Sequence, residues 1–184
     1  MKELYESAFP DDERGSLAHL LHDDAGMSEV VAFYDGTLFC GFACLLTDED
    51  ITHILYFAIE DSLRGRGYGS KALEAVHRLK PHNRIIVDIE LEEARAQNEA
   101  QREKRRQFYL HNAYEPTNIR YRWHGEDYEI LSRGGRLTGG EFTRFWDHVV
   151  RRDRALAEYE SPACTQKQPA PQKKLPSLAK CTAV

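Results

Sequence analysis

A short arginine- and glycine-rich turn, Arg64-Gly65-Arg66-Gly67-Tyr68-Gly69 with Ser70 behind it, has residue types and spacing suited to a chemical task. It follows an apolar run, residues 51–59, that reads as a strand. It precedes a stretch, residues 69–79, that reads as a helix: Ala72, Leu73, Val76 and Leu79 fall on one face and Pro81 ends it. Glycines at such a turn let the backbone approach an anion closely and adopt positive φ without strain. Unpaired N–H groups at the start of the helix point at that anion, and the helix dipole adds to the attraction. The chemistry on offer is therefore main-chain capture of a pyrophosphate. Two other phosphate loops are excluded by counting. A GxGxxG fingerprint would need its third glycine where Ser70 stands, and a Walker loop would need Gly-Lys-Ser or Gly-Lys-Thr around Lys71. A glycine turn that serves only the chain reversal is the alternative.

The elements that must position this turn can be read from periodicity. Residues 3–9 place Leu4, Tyr5, Ala8 and Phe9 at helical spacing before Pro10, and a second helix is expected over 17–22. Residues 30–34 and 37–46 read as strands joined by Asp35-Gly36, a dipeptide that supplies the positive φ of a tight hairpin. With residues 51–59 they make an antiparallel meander, and Gly41 inside the second strand marks a bulge or a close backbone contact. A short apolar strand is expected at 85–89, a charged helix at 92–110, and a hairpin of 119–123 with 127–131 around His124-Gly125. A final helix over 141–159 carries the stripe Phe142, Phe145, Trp146, Val149 and Val150, which packs on the sheet or, alternatively, forms a homodimer surface. The order predicts an α/β fold with a mixed, mostly antiparallel sheet and flanking helices, in one domain spanning residues 1–160. Residues 161–184 contain four prolines and almost no large apolar residues, so a disordered tail is expected there.

Composition sets further bounds. The formal net charge is −5, which argues against nucleic acid as a partner and is compatible with a cationic amine substrate. Cys40 and Cys44 lie in an apolar run, and Cys164 and Cys181 lie near the C-terminus. No pair has CxxC spacing, so reduced thiols are expected. His19, His77 and His148 show no ligand spacing, and no metal is expected. No apolar stretch reaches the roughly 20 residues of a membrane span. Residues 1–14 lack the apolar core of a signal peptide, so the expectation is a cytoplasmic protein with no membrane partner.

The turn resembles the R/Q-x-x-G-x-G/A motif of the GNAT acetyltransferases and lies where that family places it, after a strand and at a helix start. YESAFPDDER resembles the family's first helix and following turn, and FYLHNAYEPT resembles its F-Y-x-x-x-G-F segment, so the likeness covers most of residues 3–133. It implies the GNAT fold with the N-terminal strand missing. It also implies acetyl-CoA as cosubstrate, and direct attack of a primary amine on the thioester in a ternary complex. A small-molecule acceptor is expected first. A protein or peptide amine, or a non-catalytic module that binds coenzyme A, are the alternatives. By the same resemblance the amides of Gly65, Arg66, Gly67, Tyr68, Gly69 and Ser70, with Arg64, hold the pyrophosphate. The main chain of Phe57, Ala58 and Ile59 pairs with the pantetheine arm, and the Phe57 amide polarises the thioester carbonyl.

Tyr109 matches the tyrosine that protonates the leaving thiolate, a role a neutral phenol suits. His53 falls where the histone acetyltransferase branch carries a glutamate base, and it shares a strand face with Leu55, Phe57 and Ile59 if alternation is regular. Glu60 is the rival base, and a water relay without a single base is a third route. The chain departs from the pattern at Ala113, where the family has glycine, and at Tyr114, where it has phenylalanine. Asn98 lies off the position of a helix asparagine common among relatives. The run Arg102, Lys104, Arg105, Arg106 is expected to be a solvated helix face balanced by Glu99 and Glu103, with the 3′-phosphate of coenzyme A as its alternative partner.

Overall fold

The computed structural model describes residues 1–9, 26–91, 99–123 and 126–152. Six strands, β1 (Ser28–Asp35), β2 (Leu38–Asp48), β3 (Ile51–Ile59), β4 (Arg84–Glu90), β5 (Glu115–Trp123) and β6 (Glu126–Arg133), form one sheet in the order β1-β2-β3-β4-β6-β5. All neighbours run antiparallel except β3 and β4. Among the described residues four α-helices accompany it: α1 (Lys2–Ala8), α2 (Tyr68–Leu79), α3 (Glu99–His111) and α4 (Gly139–Arg152). The helix expected at 17–22, the turn at His124-Gly125, Asn98 and the tail at 161–184 lie outside the described residues.

The helices divide between the two faces of the sheet. Phe42, Cys44 and Leu46 alternate along β2. The first two pack with Leu4 and Tyr5 of α1, and the third packs with Phe142, Phe145, Trp146 and Val149 of α4. Ala43 and Leu45, on the opposite face, pack with Leu73 and Val76 of α2 and Tyr109 of α3. The stripe of α4 is thus consumed by its own sheet, with Val149 fully buried, and is not available as a dimer surface. That helix begins two residues before its expected start. Thr138 and Glu141 form a capping box, in which the Glu141 carboxylate accepts from the Thr138 amide (2.8 Å) and the Thr138 hydroxyl accepts from the Glu141 amide (3.3 Å). Leu79, expected on the buried face of α2, is half exposed because it occupies the last turn.

Two bulges interrupt the meander. Opposite Phe33 and Tyr34, β2 carries Cys40 as an extra residue, and next to it a side chain on Gly41 would come within 2.2 Å of the Ala58 carbonyl oxygen. Only glycine lets β2 and β3 pair there. In β3, Tyr56 pairs with Cys44 and Ile54 with Leu45, which leaves Leu55 as the extra residue. An extra residue inverts the alternation beyond it. His53 therefore faces α4, against Phe145 and Trp146, whereas Phe57 and Ile59 face α2 and α3. The regular strand face expected to carry His53 together with Phe57 and Ile59 is not what forms.

Candidate active site

The site begins where two parallel strands part. β3 and β4 pair only from Ile51↔Arg84 to His53↔Ile86. Beyond that, β3 stays with β2, and β4 continues along β6 as far as Glu90↔Tyr128. From Ile54 to Ile59 the side of β3 that faces β4 has no strand partner among the described residues, and a cleft of about 970 Å³ opens between the two strands. Phe108 of α3 helps hold the gap, its ring stacked on Phe57 at 6.2 Å and 19°.

One end of the cleft is built from main chain. Gly65 (φ 71°) and Gly67 (φ 83°) take left-handed conformations, and Gly67 is the N-cap of α2 with no side-chain cap. The first-turn amides of α2 therefore have no partner from within the helix. Gly69 matters for space: a side chain there would approach the Phe108 ring to 3.1 Å. The Arg64 side chain ties the turn to the strand, donating from Nε to the Ile59 carbonyl (3.3 Å) and pairing with Asp61 (2.8 Å). Arg64, Gly65, Gly67, Gly69 and Ser70 line the cleft together with Phe57, Ala58 and Ile59. Arg66 and Tyr68 do not. Arg66 is exposed, and the Tyr68 hydroxyl donates to Asp35 (2.9 Å) at the β1–β2 hairpin.

The basic run of α3 behaves differently from its expectation. Arg105 pairs with Glu90 (2.6 Å), Arg102 with Glu126 (3.0 Å) and the Leu91 carbonyl (3.0 Å), and Arg106 lies 3.8 Å from Glu129. Acids of β4 and β6, rather than Glu99 and Glu103, offset these arginines because α3 lies along those strands. Lys104 and Arg105 reach the cleft.

The other end is built from side chains. Tyr109 borders the cleft in the middle, 7% exposed, with its ring edge-on to Tyr114 at 5.4 Å. Burial pushes its hydroxyl well above the ordinary phenol range, so the phenol keeps its proton. Tyr109 is held by the end of α3. Ala113, at φ 62°, lets the Tyr114 amide reach back to the Tyr109 carbonyl (3.1 Å) and the Ala113 amide to that of Leu110 (3.1 Å), a Schellman cap.

His53 is fully buried, and its Nε2 lies 2.5 Å from Asp88 Oδ1. Tyr121 donates its hydroxyl to Asp88 Oδ2 (2.9 Å). His53 Nδ1 is buried with no hydrogen-bond partner among the described residues. A proton on Nδ1 would be an unpaired buried donor, so the favoured tautomer carries its proton on Nε2 and donates to Asp88. All three of these residues line the cleft; the Asp88 side chain is 22% exposed and that of His53 1%. Burial pushes its carboxyl up, but the His53 imidazole and the hydrogen bonds from His53 and Tyr121 outweigh that and hold it below the usual carboxylate range. Glu60 is not among the lining residues; it caps a 3₁₀ turn, and its amide donates to the Cys40 carbonyl (2.9 Å). Asp88, Tyr121, Trp123, Tyr128 and Trp146 also line the cleft, and sequence reasoning missed them all. The available signal was Asp88 itself, a lone carboxylate inside the apolar run Ile85-Ile86-Val87-Asp88-Ile89.

Among the described residues no group of His, Cys, Asp or Glu is arranged to hold a metal, and no helix is long and apolar enough to cross a membrane. The fold is that of known acetyltransferases. A protein of the GNAT family from Bacteroides thetaiotaomicron superposes with a TM-score of 0.64 at 21% identity, over 82% of this chain and 87% of that one. An aminoglycoside 6′-N-acetyltransferase complexed with coenzyme A gives 0.57 at 12% identity, over 71% and 86%. A Bacillus subtilis acetyltransferase in complex with CoA gives 0.50 at 17%, over 72% and 91%. At these identities the likeness is one of fold. No curated protein matches the sequence. The sequence profile of the acetyltransferase (GNAT) family, however, matches residues 1–111. The split between β3 and β4, the uncapped glycine turn at α2 and this match agree: the chain belongs to the GNAT acetyltransferase family and is an acyltransferase.

Proposed function

We propose that this protein moves the acetyl group of acetyl-CoA to the primary amine of a small molecule, by direct attack within a ternary complex. The observation that carries the reading is the through-sheet cleft. It joins the uncapped start of α2 on one face to Asp88 and its ring of aromatic side chains, which reaches the other. The amides of Gly65, Gly67, Gly69 and Ser70 and the Arg64 side chain hold the pyrophosphate, and the edge of β3 at Phe57, Ala58 and Ile59 that faces the cleft takes the pantetheine arm as an added strand. The Phe57 amide is the donor that polarises the thioester carbonyl.

The amine arrives as an ammonium ion and meets the Asp88 carboxylate. Asp88, the more exposed member of the Asp88–His53 pair, accepts the amine's proton and passes it on to solvent in the cleft, while His53, whose Nε2–H already donates to Asp88, holds that carboxylate in place. The neutral nitrogen attacks the carbonyl carbon. The carbon–sulfur bond then breaks, and Tyr109 delivers its proton to the thiolate. A cytoplasmic setting fits the free thiols of Cys40 and Cys44, of which burial pushes Cys44 up to about 12.

The test is thiol release from acetyl-CoA across a panel of amines, beside calorimetry with coenzyme A. Turnover with at least one small amine is expected, and Tyr109→Phe should lower kcat about 100-fold while coenzyme A still binds. Coenzyme A binding without release from any amine or peptide would make this a non-catalytic module instead. Release with peptides alone would make the acceptor a protein.

A further inference from the structure

The acceptor half of the cleft is aromatic and holds little charge. Its described lining includes Phe9, Tyr121, Trp123, Tyr128 and Trp146. Tyr121 and Tyr128 stack at 5.3 Å and 15°, and Trp123 meets Tyr128 edge-on at 6.3 Å. Trp146 stands edge-on to His53 at 5.6 Å and 87°, next to the Asp88 trio. Among the described residues two acids line the cleft, Asp88 and Glu90, and Glu90 pairs with Arg105 at 2.6 Å. Asp88 meets His53 Nε2 and accepts from the Tyr121 hydroxyl, and among the described residues no Lys or Arg pairs with it. One carboxylate therefore stands among aromatic rings. The other charged residues of the described lining, Arg64, Lys104 and Arg105, are cationic.

We infer that the acceptor is a monoamine with an apolar or aromatic skeleton: its ammonium group sits on Asp88 and its carbon body lies against the rings of Tyr121, Trp123 and Trp146. A single ammonium ion satisfies the one carboxylate of the described lining that has no Lys or Arg partner, and aromatic faces attract both that cation and an apolar body. A polyamine or an aminoglycoside brings further positive charges that have no described carboxylate to meet and face Lys104 and Arg105. Its hydroxyl groups would be desolvated against rings that offer few hydrogen bonds. This inference rests on the acetyltransferase reading of the same cleft, but it makes a separate claim about the acceptor.

The experiment compares 2-phenylethylamine, spermidine and kanamycin in two arms with the full chain. The first reads kcat/KM from thiol release with acetyl-CoA. The second reads binding of each amine to the coenzyme A-loaded protein by quenching of tryptophan fluorescence, which needs no turnover. The expected result is a preference of at least tenfold for 2-phenylethylamine in both arms. Trp123→Ala, at a partly exposed position, should erase most of that preference without loss of coenzyme A binding. Equal or better use of spermidine or kanamycin in either arm overturns the inference, as does a Trp123→Ala protein with an unchanged preference. Tight binding of 2-phenylethylamine with no turnover would sustain the acceptor class while sinking the catalytic reading. The absence of coenzyme A binding would sink the catalytic reading by itself, and amine binding to the unloaded protein would then decide the acceptor class.

Discussion

The two ends of the cleft solve opposite problems with opposite materials. At the α2 end the ligand-facing groups are peptide amides. Gly65 and Gly67 are there for their dihedral angles and Gly69 for the room it leaves beside Phe108. At the Asp88 end nearly every contribution is a side chain, drawn from β3, β4, β5, β6 and α4. An end made of backbone tolerates side-chain change and is sensitive to conformation. An end made of side chains has the reverse sensitivity. A common cofactor can be held by the first kind, while the second kind is free to vary with the acceptor.

The sharpest way to break this comparison is at Asp88. Asp88→Asn keeps shape and volume but removes the charge, and it should lower kcat/KM for the amine about 1,000-fold, through lost ammonium binding and a lost proton path. The affinity for coenzyme A, measured by calorimetry, should be unchanged. A loss of coenzyme A affinity in parallel would mean that the two ends are not independent. At the opposite end, Gly67→Ala forces a side chain into φ 83° and should weaken coenzyme A binding about tenfold, since left-handed backbone costs a non-glycine residue about 1–2 kcal/mol. Ser70→Ala, which removes a side chain and no amide, should leave binding within about twofold. A larger effect at Ser70 than at Gly67 would overturn the claim that main chain does the holding.

The same contrast governs what could be read from the sequence. The glycine turn, its flanking strand and its helix are local, so residue spacing shows them. Their placement beside the cleft follows from one strand–turn–helix unit. The Asp88 end depends on which distant strands become neighbours. β6 enters the sheet between β4 and β5 and brings Tyr128 beside the site, while Tyr121 reaches across to Asp88. Nothing within ten residues of Asp88 announces that. The orientation of His53 was illegible for a subtler reason. One extra residue at Leu55 inverts the alternation, and a periodicity argument run across a bulge assigns the wrong face to half of the strand. The partners of Arg102, Arg105 and Arg106 were missed because helical spacing suggested neighbours within α3, whereas the acids that pair with them stand on β4 and β6.

The scaffold between the two ends has its own acid sensitivity, which must be separated from the chemistry. Burial, with a smaller contribution from Arg133, pushes His77 of α2 down to about 4 from 6.5. The unfolded chain therefore binds a proton that the folded chain refuses between those values. Stability should fall as the pH drops from 6.5 toward 4, by about 1 kcal/mol after allowance for partial exposure. Melting temperatures of the protein and of His77→Asn across that range check this, and the variant should lose less of its stability. An identical acid slope in both would assign the loss elsewhere, with Asp88 protonation acting only at lower pH because its carboxyl is held below the usual range.

The smallest expected effect concerns the residue that fixes Tyr109 between the two ends. The family pattern has glycine where this chain has Ala113, and the backbone there keeps the glycine conformation at φ 62°. The strain is tolerated because the turn is held from both sides. Two reverse hydrogen bonds close the Schellman cap, and the Tyr109 and Tyr114 rings meet across it, the apolar contact that such caps use. Ala113→Gly removes the strain but loosens the unfolded chain, so the gain should be modest, about 0.5–1 kcal/mol in urea unfolding. Because the cap geometry is already present with alanine, kcat should stay within about twofold of the parent. A variant that is more stable and markedly slower would show that strain at Ala113 helps aim Tyr109, and the middle of the cleft would then belong with its side-chain end.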